Sequence, residues 1–508
     1  EGEFMKDVNI NNNLKPENSN LEYKESKNSL PKDFWKTYSA FANTKGGLVV
    51  LGVSERDNNF YLSGVNDSSK ILKDLHTTLH NQNKVNYSLV NDENIKEFEL
   101  MGKKIIEIHI KEAPLSKKPI YLNSDYRNTY LRSNDSDRKS TDEELRQMLR
   151  NSKDDLDSEL LERFDIDDLN LNTINKYRDY LINDNVDSPY INMPVKKLLI
   201  EIGAIKRNRN SQDNDYNITL GGLLFFGKFN CITDLIPHFH LDYFNREGTN
   251  DRWIDRVATG DPNYPNLNLF EFFLIVLEKL KLTINQGFKL SEDSHRISHE
   301  SNDMVITLRE ALANTLIHSD YMSSETVKIE HLNGYYEFSN PGEMKISIEE
   351  FVRGGNSNPR NVTITQLLRR IGFCERAGTG GPKIFDLARK NKLKFPDITT
   401  ENNKTTLRVW KIDIVSAHSH LGDDEKSVLL FLTKNFLPKS FKEIQEETSL
   451  TRHKLTKVLI SLEENKLIEK IGQSRATKYK LIESTEEYLT NLQHTFRKIV
   501  QFYVENDK

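Results

Sequence analysis

The sequence predicts a multidomain α/β protein, and three observations carry that expectation. With 508 residues the chain is too long for one ordinary hydrophobic core. Short apolar runs suited to strands alternate with segments of helical period along most of its length. Two polar stretches, 151–165 and the run between Lys411 and Asp423, interrupt the pattern and divide the chain.

Composition narrows the class. Hydrophobic residues make up 36% and charged residues 29%, a globular balance on the polar side. No apolar run approaches the length needed to cross a bilayer, so no membrane partner is expected. Glu1-Gly-Glu-Phe-Met5 lacks the basic and apolar regions of a signal peptide. The two cysteines, Cys231 and Cys374, lie far apart and imply no disulfide framework, so a reducing cytoplasm is the expected compartment. A net charge of −5 means that any nucleic-acid contact must come from local basic patches.

Residues 6–16 are Asn-rich and weakly patterned, which predicts a mobile arm. A helix is predicted over Phe34–Ala42, then strands at Leu48–Leu51 and Lys104–Ile110 and a short pair at Pro119–Leu122 and Thr129–Arg132. Thr141-Asp-Glu-Glu144 is a capping box opening a closing helix through Arg150. Leu21-Glu-Tyr-Lys24, Ala40-Phe-Ala-Asn-Thr-Lys-Gly-Gly47, Leu51-Gly-Val53 and Tyr130-Leu-Arg-Ser133 in that layout resemble the Schlafen-type AlbA-like domain over residues 15–150, an α+β module. The resemblance implies nucleic-acid binding and, in some members, RNA cleavage at a divalent-metal carboxylate site. Glu17, Glu22 and Lys24 fall where two of those carboxylates and a lysine belong, and Glu55 or Asp57 would supply the third acid. The same residues also suit one face of an edge strand.

After the charged linker 151–165, a helical segment with Leu181, Val195 and Leu198–Ile200 as core precedes Ile218–Gly227, whose apolar run between glycines predicts a buried strand. His238–Phe244 is expected to pair with it. His238 and His240, with only Cys231 nearby, fall short of a four-ligand metal site and are read as sheet residues. Asp251–Arg256 is read as a polar loop and Leu269–Leu280 as an apolar helix.

The next helix, Thr307–Tyr321, buries Leu308, Ala311, Leu312, Thr315 and Leu316, while Glu310, Asn314 and His318 stand four apart on another face. A carboxylate, a carboxamide and an imidazole facing one way suit a magnesium-nucleotide site, where Asn oxygen is a hard ligand and Glu orients or deprotonates water. Asn340-Pro-Gly342 follows a strand at Tyr335–Ser339, and Arg376-Ala-Gly-Thr-Gly-Gly-Pro-Lys383 enters a helix, the arrangement by which backbone N–H groups reach phosphate. This order resembles the GHKL ATPases, in the divergent branch fused to Schlafen-type domains, and implies an α/β sandwich over 166–412. The resemblance makes Glu310 the water-activating base, Asn314 the Mg²⁺ ligand, and Gly378, Thr379, Gly380 and Gly381 the phosphate lid; His318 and Gly342 complete the ATP set. Asn340 stands where the main families carry an Asp that reads adenine.

Helices at Asp424–Leu432, Ser440–Thr448 and Thr451–Glu464, then a hairpin around Gln473-Ser-Arg475, resemble a winged helix-turn-helix over 424–482. Arg452, His453, Lys454 and Lys457 would face a major groove and Arg475 would sit on the wing, although such modules also serve in docking. An amphipathic helix at 484–508 is expected to pack on a neighbour or a second subunit, which predicts at least a homodimer. The combined expectation is an ATP-regulated protein acting on nucleic acid, RNA or DNA, with Mg²⁺ or Mn²⁺ as cofactor and with possible metal-dependent cleavage in anti-phage defence. The alternative is a nucleotide-sensing DNA-binding regulator that cuts nothing.

Overall fold

The computed structural model describes residues 8–9, 17–56, 59–153, 155–183, 185–211, 215–249, 252–287, 294–374, 378–418, 420–434, 438–472 and 477–482. Asp57, Arg376, Arg475 and the expected terminal helix 484–508 lie outside the described residues, as do the side chains of 285–301. Mixed α/β structure divides into two compact units, residues 1–154 and 155–508.

The first unit runs β1 (Val8–Asn9), β2 (Leu21–Lys24), α1 (Phe34–Asn43), β3 (Gly47–Leu51), β4 (Val53–Arg56), β5 (Asn59–Leu62), α2 (Ser68–Leu79), β6 (Ile95–Leu100), β7 (Lys103–Ile110), β8 (Tyr121–Leu122), β9 (Asp125–Ser133), β10 (Ser136–Lys139) and α3 (Asp142–Asn151). Its main sheet has the order β2-β3-β7-β6, with β2 and β3 parallel. Phe34, Tyr38 and Phe41 of α1 pack into a core with Val49, Leu51, Ile106 and Ile108. The predicted capping box is present: Thr141 accepts from Glu144 N–H and Glu144 reaches back to Thr141. The arm expected at 6–16 is corrected in part. Val8–Asn9 pairs with Tyr61–Leu62, because the edge of β5 offers backbone groups that another strand can satisfy.

The second unit continues through β11 (Leu160–Leu161), α4 (Leu171–Ile182), α5 (Val195–Glu201), β12 (Ile205–Arg207), β13 (Tyr216–Thr219), α6 (Leu220–Phe226), α7 (Phe229–Leu235), β14 (Leu241–Asn245), β15 (Asp255–Ala258), α8 (Leu269–Gly287) and α9 (Ser294–His318). It goes on through β16 (Val327–Leu332), β17 (Tyr335–Pro341), α10 (Ile348–Arg353), α11 (Val362–Arg370), α12 (Gly380–Asn391), β18 (Asp397–Glu401) and β19 (Lys404–Trp410). Six strands form one sheet, β15-β14-β16-β17-β19-β18, in which only the β14–β16 pair is parallel. Helix α9 lies on β16 and β17 and packs against α8, so one core extends from Leu161 to Val409.

Four expectations are corrected by these elements. Ile218–Gly227 is not a strand: Thr219 caps a helix by accepting from Gly222 N–H, and every residue of α6 is buried. An all-buried helix has no polar face, so its sequence lacks the helical period. His238–Phe244 contributes β14, which pairs with β15 and β16 instead of that segment. Asp255 and Arg256, read as loop, begin β15, where Arg256 forms an ion pair with Asp242 on the neighbouring strand. The charged linker contains a helical turn at Leu156–Ser158 and β11, with Asp157 fully buried.

The remaining elements are α13 (Ile414–Ala417), α14 (Asp423–Lys434), β20 (Lys439–Ser440), α15 (Phe441–Thr448), α16 (Arg452–Glu464), β21 (Ile468–Ile471) and β22 (Lys478–Leu481). The three strands pair in the order β20-β22-β21, and Val428, Leu429, Ile444, Leu455, Leu459 and Leu462 make a separate small core. Among the described residues no helix is long and apolar enough to cross a membrane.

Candidate functional site

Helix α9 presents two faces. Leu308, Ala311, Leu312 and Leu316 join the core, whereas Glu310, Asn314 and His318 line two adjoining hollows beside it. One hollow is mainly apolar, walled by Phe338, Met344, Ile398 and Leu407, with Asn340 and Thr405 as polar points. The other is the more polar of the two, lined by Glu310, Thr365, Arg369, Cys374, Gly378 and Gly380 along with Ile317. Asn314, His318, Ile346 and Phe351 border both. A surface groove between α4 and α8 is more open, but the polar groups of α9 do not reach it.

Burial, reinforced by Arg360 and Lys345, lowers the His318 pKa to about 4, so its ring is neutral near pH 7. Burial, then the Glu310 charge, pushes the Cys374 thiol up to about 11, leaving a neutral thiol beside the carboxylate. The end of α9 is fastened by two residues that the sequence reading missed. Arg360 is fully buried and donates to the carbonyls of His318 and Glu343, each at 3.0 Å. Asn361 donates to Ile317 O at 2.9 Å and Ser319 O at 2.8 Å. Both satisfy carbonyls that a helix C-terminus leaves open, and a cation there complements the helix dipole. The turn-forming run Gly354-Gly-Asn-Ser-Asn-Pro-Arg-Asn361 was the signal that could have found them.

The glycine loop meets α9 directly. A β-carbon on Gly380 would collide with Glu310 Oε1 and stand 3.0 Å from Asn314 Nδ2. Gly378 has φ +81° and accepts from Gly355 N–H at 3.0 Å, so a second glycine pair supports the turn. Thr379 leads into α12 at the same turn. Asn340, buried in β17, donates to Pro341 O at 3.0 Å and lines the apolar hollow. Gly342 at φ +100° turns the chain past Arg360 and accepts from Thr405 Oγ1 at 2.8 Å.

In the first unit, Glu22 is held by two cations: Lys24 Nζ at 2.9 Å and Arg132 at 2.7 Å. Arg132 also pairs with Asp137 at 2.9 Å and Lys24 with Asp33 at 2.8 Å. Burial alone would pull the Lys24 pKa down, but bonds to Asp33 and Glu22 outweigh it and the pKa rises. Glu17 accepts from Tyr23 N–H at 2.8 Å. Its pKa is raised, first by burial, then by the Glu22 and Glu55 charges, with the Tyr23 N–H pulling the other way. Glu17 therefore feels two neighbouring carboxylates. Even so, no three or more His, Cys, Asp or Glu among the described residues are grouped to hold a metal. Lys24 and Arg132 already occupy Glu22.

In the last module Arg452, His453, Lys454 and Lys457 are exposed along the first turns of α16. Lys454 also pairs with Asp424 at 3.4 Å.

These features define a mixed α/β protein with an AlbA-type domain ahead of an ATPase-type sandwich. Residues 17–141 match the family described as "Schlafen, AlbA_2", and residues 324–409 match "Putative ATP-dependent DNA helicase recG C-terminal". The latter match covers Asn340, Gly342 and the lid but begins after Glu310 and Asn314. Residues 146–242 match a domain of unknown function (DUF8451). A comparison with curated proteins finds no match. Among solved structures, the DIP2311 protein of Corynebacterium diphtheriae is similar at 14% identity, over 91% of this chain and 95% of that one, with a TM-score of 0.39. The N-terminal domain of a "putative ATP-dependent DNA helicase RecG-related protein" from Nitrosomonas europaea is 24% identical over 23% of this chain and 82% of that one, with a TM-score of 0.18. At such scores neither likeness bears on function.

Proposed function

We propose that the chain is a nucleotide-controlled protein acting on nucleic acid, with ATP bound along the polar face of α9. The observation that carries this is the meeting of Glu310, Asn314 and Gly378–Gly381 on one polar hollow that opens onto an apolar one containing Asn340. An adenine ring suits the apolar hollow, with the Asn340 oxygen accepting from its amino group. The triphosphate then lies towards the glycines, whose backbone N–H groups can donate to it. Asn314 and the nucleotide's own oxygens would hold Mg²⁺, which takes few protein ligands in such sites and, when bound, offsets phosphate charge. Glu310 takes the proton of the attacking water. Nucleotide occupancy orders the lid and biases how subunits pair.

Titration calorimetry with ATP and Mg²⁺ tests this reading. Asn314→Ala should lose Mg²⁺-dependent binding, and Glu310→Gln should bind but not hydrolyse. A wild type that binds no nucleotide would sink the proposal.

The contact with nucleic acid is proposed for the AlbA-type domain and for a winged-helix module at 424–482. Metal-dependent cleavage, RNA before DNA, is a second reading, favoured by the action of the Glu22 and Glu55 charges on Glu17. It requires Glu22 to exchange its ion pairs. Incubation with RNA and DNA in Mg²⁺ or Mn²⁺ decides it. Cleavage that survives the Glu17→Ala/Glu22→Ala double variant rejects the site, and no cleavage by wild type favours the DNA-binding regulator. A home in anti-phage defence follows only from the resemblance.

A further inference from the structure

The polar hollow contains a group that the nucleotide reading does not use. Among the described residues lining it, Arg369 is the one strong cation; it shares the lining with Glu310 and Asn314, lies beside Cys374, and is exposed. A triphosphate brought beside the Glu310 carboxylate meets like charge. A guanidinium is the side chain best shaped to offset that charge, through paired N–H···O bonds to phosphate.

The mounting of Arg369 is unusual. It projects from the last turn of α11, whose first turn is held by a residue more than 200 positions earlier in the chain. The Asp157 carboxylate accepts from Thr363 N–H at 3.1 Å and from Ile364 N–H at 2.8 Å, and its carbonyl accepts from Thr363 Oγ1 at 3.4 Å. Asp157 is fully buried, and Gly221 leaves it room, since a β-carbon there would stand 2.7 Å from Oδ2. Two open N–H groups of a helix start are thus satisfied by one carboxylate, which also complements the helix dipole. Farther along α11, Tyr177 donates to Leu367 O at 2.8 Å and Arg370 to Glu201 O at 3.1 Å. Asn361, just before α11, is the residue that fastens the end of α9. One helix therefore links the Glu310/Asn314 face, the polar hollow and the segment at which the second compact unit begins.

We propose that Arg369 is the cation contacting the nucleotide's distal phosphates and that Asp157 is the positioning residue that sets it, through α11. This rests on the nucleotide reading of the same hollow. It predicts discrimination by phosphate number: Arg369 bonds phosphates of ATP that AMP lacks.

The test compares ATP and AMP affinities by calorimetry on the full chain, for wild type, Arg369→Ala, Arg369→Lys, Asp157→Asn and the Arg369→Ala/Asp157→Asn pair. A charge-assisted hydrogen bond contributes enough that Arg369→Ala should weaken ATP by about ten- to a hundred-fold. AMP should change by less than about threefold on the same principle, and Arg369→Lys should recover part of the loss, as a point charge without the fork. Asp157→Asn should lower the ATP-to-AMP affinity ratio while leaving AMP binding in place, and should add nothing to that ratio in the Arg369→Ala background. Thermal melts confirm folding of each variant. If wild type binds neither nucleotide, the nucleotide reading falls and this proposal with it. If wild type binds both and Arg369→Ala keeps the wild-type ratio, this proposal alone is overturned. If Asp157→Asn weakens ATP and AMP equally, its positioning role is rejected.

Discussion

Gly380 lies so close to Glu310 that a β-carbon on the glycine would collide with Oε1 and stand 2.9 Å from Cγ of the carboxylate. The lid and the helix face are therefore complementary only while residue 380 has no side chain. Gly380→Ala should abolish nucleotide binding and lower the melting temperature, because the lid must withdraw or the Glu310 rotamer must strain. In a Glu310→Ala background the same substitution should cost less, since the colliding atoms are gone. Equal penalties in both backgrounds, by differential scanning fluorimetry, would falsify the packing argument.

Acid should destabilise the second unit. Burial depresses His318 and His331 to about 4, with Arg360 adding to the shift at His318 and Lys411 at His331. A depressed histidine leaves full stability above its ordinary value near 6.5, and that stability is lost as pH falls through about 4, because the unfolded chain takes up protons first. Asp157 works in reverse. Burial raises it to about 6, so its contribution is present at low pH and fades as pH rises through that value. Two histidines against one aspartate leave a net loss between pH 6.5 and 4. Urea denaturation at pH 7 and pH 5 should show the loss, and His331→Gln should flatten it. A slope unchanged by that variant would contradict the assignment.

Arg132 bridges Glu22 and Asp137 while almost fully buried, so Arg132→Ala leaves Asp137 without this cation and Glu22 with Lys24 alone. Removing one partner of such a buried pair costs about 3–5 kcal/mol. Denaturation of the whole chain, followed by a probe in the 1–154 unit, measures it. A change below about 1 kcal/mol, the range of exposed pairs, would mean that the network contributes little.

Charge reversal on α16 separates nucleic-acid binding from docking. Arg452→Glu with Lys457→Glu should weaken duplex binding at low salt. The slope of log affinity against log salt should fall by about 1 for each phosphate no longer neutralised. Lys454→Glu should do less, because its ammonium is shared with Asp424. Unchanged binding in the double variant would leave α16 as a protein-docking surface.

Local signals were legible in the sequence wherever neighbours along the chain supply the chemistry. The Thr141–Glu144 capping box, the strands at Leu48–Leu51 and Lys104–Ile110, and the spacing of Glu310, Asn314 and His318 are set by backbone periods and by interactions within a few residues. The two faces of α9 could be assigned from that period alone. Ile218–Gly227 shows where this fails. Leu-Gly-Gly-Leu-Leu-Phe-Phe is uniformly apolar, so it has no period to separate helix from strand. The helix is decided by the Thr219 cap and by close approach of Ala204 O and Asp157 to the two glycines.

By itself, then, the sequence determined the mixed α/β class, the helix that carries Glu310 and Asn314, and the glycine turn that faces it. Tertiary structure alone decided what surrounds them. Asp157 in a charged stretch reads as linker until it meets Thr363 and Ile364. Arg360 carries no sign in the sequence that its guanidinium closes the end of α9. Glu22 reads as a metal-site carboxylate or an edge-strand residue until Lys24 and Arg132 occupy it. The physical reason is common to all three: a charged side chain is exposed by default, and only distant backbone dipoles or counter-charges make its burial affordable.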